Sequence, residues 1–174
     1  MKKISIIIGV LIFGLWGCSK DLLTDPSNPE SGNSQSVKKT EIVKYELKAV
    51  KLQNHPTATA GVYSISGNIS HLGLIDPMST LTMMPLGPDP DNPGYILQQA
   101  FINMIGADGS SIHFISTKAR FNMMTGYGEQ EWIIDSGTGR FEGATGWYES
   151  TSQYDFSAMI NYVTGEGEVY IAKK

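Results

Sequence analysis

From residue 40 onward apolar and polar residues alternate with a period of two, the spacing of a strand with one covered and one wet face. Val43, Tyr45, Leu47 and Ala49 interleave with Lys44, Glu46 and Lys48. Tyr63, Ile65, Gly67, Ile69 and His71 form one row and Ser64, Ser66, Asn68 and Ser70 the other, so strand parity sets His71 on the inner face. The same reading predicts strands over 81–84, 95–105, 111–121, 126–135, 141–151, 154–163 and 168–172. Turn residues fall between them at 85–94, Asp108-Gly109, Gly126, 136–139 and Gly165. The run Tyr154, Phe156, Ala158, Ile160, Tyr162 is spaced by two and is therefore read as strand, not helix.

Eight or nine short strands with short connections and no amphipathic helical stretch predict an all-β domain over residues 39–174. Closing the sheet into an eight-stranded antiparallel β-barrel leaves no free strand edge, and the interior of such a barrel is either packed with side chains or holds one small ligand.

The alternation is absent before residue 39. Lys2 and Lys3 precede an apolar run from Ile4 to Trp16, and Gly17 stands before Cys18, in the order of an export signal. A run of about 13 apolar residues falls short of the ~20 that span a bilayer. The pattern resembles a bacterial lipobox, which implies a signal peptide over 1–17 and a lipidated Cys18 carrying diacylglycerol and an acyl chain such as palmitate. Residues 18–38, with Asp21, Asp25, Pro26, Asn28 and Pro29, then form a disordered tether between membrane and barrel. Ser19 after the cysteine favours the outer membrane by similarity to sorted lipoproteins, with its face left open.

Composition narrows the function classes. Glycine is frequent at 19 residues and the charged fraction is low at 17%, as in all-β chains rather than disordered ones. A formal charge of -4 without a cluster of Lys or Arg excludes a nucleic-acid partner. One cysteine excludes an intrachain disulfide, a cysteine zinc site and an iron–sulfur cluster, and no cofactor site is predicted.

The segment Ile134-Asp135-Ser136-Gly137-Thr138-Gly139-Arg140-Phe141-Glu142-Gly143-Ala144-Thr145-Gly146 resembles the late-strand signature of the allene oxide cyclase and dirigent group of calycin-like barrels. Ser70-His71-Leu72-Gly73 and the hairpin at Ala107-Asp108-Gly109 are similar to segments of bacterial members, so the resemblance covers residues 60–172. It implies the same closed barrel, a cofactor-free pocket that steers cyclisation or coupling of a reactive intermediate, and relatives that include dimers and trimers, leaving a homo-oligomer open. No acid or base here matches that group's active residues position by position. On physical grounds Gly137 and Gly139 supply positive φ in a tight connection, while Gly143 and Gly146 fit a bulge or bend in a strand. Gly137-x-Gly139-x-x-x-Gly143 misses the G-x-G-x-x-G phosphate cradle.

Chemistry-bearing residues are sparse. His55, His71 and His113 lack ligand spacing, and His71 is read either as an interior group meeting a polar ligand or as a hydrogen-bonded structural residue. Glu129, Glu131, Asp135 and Glu149 are read either as a glycosidase pair or as a solvated outer face. Asp89, Asp91 and Asn92 are read either as calcium ligands or as a rigid proline-bounded rim. The abundance of Met and aromatic residues suits an apolar guest as well as core filling. Tyr63, His71, Phe101, Trp132 and Trp147 are the candidate pocket residues. Two functions follow: a non-catalytic lipoprotein whose barrel binds a small apolar ligand or a protein partner, and the alternative of a dirigent-like barrel that steers an intermediate.

Overall fold

The alternating rows close on themselves. The computed structural model describes residues 40–173, so the signal peptide, Cys18 and the tether lie outside the described residues. The strands are β1 (Ile42–Pro56), β2 (Val62–Ile69), β3 (Gly73–Leu74), β4 (Thr80–Pro88), β5 (Tyr95–Ile105), β6 (Ser111–Asn122), β7 (Tyr127–Gly137), β8 (Thr145–Asp155) and β9 (Ile160–Ala172). They follow one another in the order β1-β9-β8-β7-β6-β5-β4-β2-β3, and β1 also pairs with β2. That pairing makes a closed eight-stranded antiparallel barrel, with β3 as a short addition beside β2. Closure requires β1 to bend. It does so at a bulge where Lys51 takes φ 54 and the register shifts against both neighbours. Gly67 faces this bulge, where a Cβ would lie 2.4 Å from the Lys51 carbonyl oxygen.

Antiparallel winding puts the connections at two ends. Residues 57–61, 89–94, 123–126 and 156–159 lie at one, and residues 70–79, 106–110 and 138–144 at the other, where β1 begins and β9 finishes. The second end is closed. A single 3-10 turn at Gly139–Phe141 buries Phe141 in the same core cluster as Leu72, Ile75 and Ala144 from this end of the barrel. Arg140 spans the three connections: its guanidinium lies 4.9 Å from the Phe141 ring centre, 3.4 Å from Asp108, and donates to the Leu72 carbonyl at 3.3 Å. Below this plug Leu47, Ile69, Met104, Ile112, Phe114 and Val169 fill the barrel.

Several expected boundaries move. Residue 141 does not start a strand, and β8 begins at Thr145, because Phe141 is used as the plug. Gly143 is a turn residue with φ 74, outside any strand. Gly137 lacks a positive φ; its constraint is steric, since a Cβ would stand 2.3 Å from the Phe141 carbonyl oxygen. The expected strand 154–163 is broken by a hairpin at 156–159, where the Asp155 carboxylate accepts from the backbone N–H groups of Ser157 (2.8 Å) and Ala158 (3.1 Å). Gly165 is not a turn but part of β9, where its missing side chain leaves room for the Tyr148 hydroxyl. The turn expected at 85–94 shrinks to 89–94 because β4 continues through a bulge between Pro85 and Gly87.

Candidate functional site

From the plug toward the open end, the barrel lining changes from apolar to neutral polar. Trp132 Nε1 donates to Ser150 Oγ at 3.0 Å, Ser150 Oγ donates to Gln130 Oε1 at 3.0 Å, and Gln130 Nε2 donates to Ser152 Oγ at 3.4 Å. All four side chains are buried. This chain satisfies its own members, as a buried network must. Above it, at the open end, lies a cavity of about 260 Å³ lined by Asn54, Tyr63, Leu81, Met83, Gln98, Phe121, Met123, Tyr154, Phe156 and Asn161. Its floor narrows beside Trp132 and Tyr148 to a gap of about 20 Å³, the size of one water. The space wide enough for a small molecule is therefore confined to the outer part of the barrel.

The mouth is built by strand ends and two hairpins. Tyr154 packs edge-on against Phe156 at 5.1 Å and against Phe121 at 6.5 Å, and its hydroxyl meets the Met159 sulfur at 3.3 Å. Met123, Met124, Phe156 and Met159 stay exposed on the rim, although they are large and apolar. No Asp, Glu, Lys, Arg or His lines the cavity among the described residues. Burial, reinforced by the neighbouring Tyr154, pushes the Tyr63 phenol above its ordinary pKa. Burial alone pushes Tyr148 upward, and its hydroxyl has no hydrogen-bond partner.

Of the candidate pocket residues, Tyr63 and Trp132 face the interior, Tyr63 in the mouth and Trp132 at its floor. The other three do not. His71 is corrected from an inner position to an exposed turn at the closed end: β2 finishes at Ile69, and His71, with φ 66, is exposed and makes a tilted ring contact with Tyr45 at 4.9 Å. Phe101 and Trp147 are each 38% exposed on the outer wall. Register aligns Phe101, Ile115, Ile133 and Trp147 as successive neighbours across β5, β6, β7 and β8, an apolar row on the outside of the barrel. Apolar character alone does not distinguish the two faces here.

Two of the outer carboxylates, Glu129 and Glu131, are held in ion pairs. Arg120 binds Glu129 at 2.6 Å and Lys118 binds Glu131 at 3.0 Å on the outer wall. Asp89 is buried in the 89–94 turn. Burial works against its carboxylate, but donation from the Asp91 N–H (2.9 Å) and the Asn92 amide (2.9 Å), with Arg120 nearby, outweighs it and lowers the pKa. Its oxygens thus organise the turn.

Sequence reasoning missed Asn54, Gln98 and Asn161. Each continues an inward row, Asn54 beyond Leu52, Gln98 beyond Ala100 and Asn161 beyond Val163, so parity carried the signal although the residues are polar.

No protein-family model and no curated protein matches the chain. Among solved structures it is similar to the pterocarpan synthase dirigent protein PsPTS1, with 13% identity and a TM-score of 0.41 over 79% of this chain and 98% of that one. It is also similar to the pterocarpan synthase dirigent protein GePTS1, with 14% identity and a TM-score of 0.39 over 78% of this chain and 87% of that one.

Proposed function

We propose that this chain is a lipid-anchored binding protein whose barrel receives a small, largely apolar molecule at its open mouth without transforming it. The observation that carries this reading is the cavity of about 260 Å³ walled by Tyr63, Leu81, Met83, Phe121, Tyr154 and Phe156. Concave, mostly apolar sites with a few polar groups are the usual form of small-molecule sites. The anchor rests on Cys18 and its preceding apolar run. The exposed turn position of His71 removes the imidazole from any role inside the barrel.

A second reading, a cofactor-free barrel that steers a reactive intermediate, draws on the enclosure of the same cavity, which restricts the conformers a guest can adopt. Native mass spectrometry of the protein gently extracted from membranes tests both. Binding predicts a co-purifying molecule recovered unchanged, lost when Met83→Trp fills the cavity; recovery of a guest with added or rearranged bonds supports steering. Equal guest occupancy in Met83→Trp overturns the site assignment.

A further inference from the structure

Three carboxamides ring the mouth cavity. Asn161 on β9 stands in direct register with Asn54 on β1 and with Tyr154 on β8. Gln98 comes from β5, four strands from β9 around an eight-stranded ring, and so from the opposite wall. Asn161 is 9% exposed and Asn54 6%. The Asn161 Oδ1 and Gln98 Oε1 atoms are buried and have no hydrogen-bond partner. Buried polar atoms without partners are uncommon and destabilising. Of the four such side-chain atoms among the described residues, Asn161 Oδ1 and Gln98 Oε1 line the cavity while Asn103 Oδ1 and the Tyr148 hydroxyl lie outside it, and the Gln130 amide one layer below is paired at both ends.

Resting on the binding reading above, we infer that the cavity selects an uncharged guest with an apolar body and one head group that both donates and accepts hydrogen bonds, a carboxamide or hydroxyl, seated between Asn161 and Gln98. An amide edge presents one donor and one acceptor whichever way it is turned, so a head group of the same dual character satisfies it. A carboxylate offers no donor and an ammonium no acceptor. Either would also enter a cavity without a countercharge, at a desolvation cost the wall does not offset. The apolar body lies toward Phe121, Phe156 and Met123 at the rim.

The test uses five probes that share one ring and chain length: 3-phenylpropionamide, 3-phenylpropanol, propylbenzene, 3-phenylpropionate and 3-phenylpropylamine. Each is titrated into the purified protein by calorimetry, with the side-chain amide signals of Asn161 and Gln98 followed by NMR. The amide and the alcohol are expected to bind about tenfold or more tightly than the other three, the loss expected for leaving buried partners unpaired, and to shift both amide signals. Asn161→Leu is expected to abolish that preference while keeping propylbenzene binding and without lowering the melting temperature, since it removes an unpaired buried oxygen. If propylbenzene binds the native protein as tightly as the amide, or a charged probe binds best, the head-group inference fails and the apolar cavity stands. If none of the five binds, both readings fail together.

Discussion

Replacing Phe141 by alanine measures how far one side chain closes the barrel. Phe141 is 2% exposed and belongs to the buried core cluster that includes Leu72, Ile75 and Ala144. Its backbone cannot follow the loss, because Phe141 N–H donates to the Thr138 carbonyl at 3.1 Å, its own carbonyl accepts from Ala144 at 2.9 Å, and Arg140 N–H donates to Ser110 Oγ at 3.3 Å. A pinned site keeps its cavity, so the cost belongs in the ~3–5 kcal/mol range of buried Phe→Ala changes, near ~4 kcal/mol. For a domain of this size that lowers the melting temperature by roughly 10 °C. Arg140→Ala is the control. It removes the stacking on the ring, ~0.5–1 kcal/mol at an exposed site, and a solvent-screened ion pair to Asp108 that adds little. Urea denaturation followed by tryptophan fluorescence is expected to rank Phe141→Ala several-fold above Arg140→Ala. Equal effects, or a Phe141→Ala loss below ~1 kcal/mol, would refute the plug.

Iodide is expected to quench a variant retaining Trp147 and to leave one retaining Trp132 unquenched, because their exposures are 38% and 4%; equal quenching would reverse the face assignment. Hydrogen bonds hold carboxyl pKa values down at Asp108 (from the Ser110 N–H), Asp155 (from the Ser157 hydroxyl) and Glu168 (from Lys44). A folded pKa below the unfolded one contributes stability that is complete above the ordinary values of 3.8 for Asp and 4.5 for Glu, and lost as pH falls through the folded values. The urea midpoint should hold down to about pH 4.5 and then decline; a midpoint still flat at about pH 3 would contradict this. Cys18→Ser is expected to abolish labelled fatty-acid incorporation and leave the precursor uncut, and normal labelling would remove the anchor from the proposal.

Much of the barrel was legible because period two survives along the whole of β5 and β7 and along β1 and β6 on either side of bulges that switch the inner row, after Ala49 and after Ser116. The errors arose where a locally correct pattern served another purpose. Phe156 and Ala158 carry the period-two run from Tyr154 to Ile160 through a hairpin, because the rim also uses apolar residues, and the Asp155 turn offered no Gly or Pro as punctuation. His71 continued the inner row of β2, but the chain leaves the sheet at Ile69. Phe101 and Trp147 gave no sign of their outer placement, since their aligned neighbours Ile115 and Ile133 come from other strands and only register joins them. The site itself was half hidden. Its aromatic wall was anticipated in Tyr63, whereas Asn54, Gln98 and Asn161 were passed over as ordinary polar residues.

The strand β1 enters at the plugged end, and an even number of strands returns the chain to that same end at β9. A linker, tag or surface joined at either end of the barrel therefore meets the base of the cup and leaves its opening unobstructed.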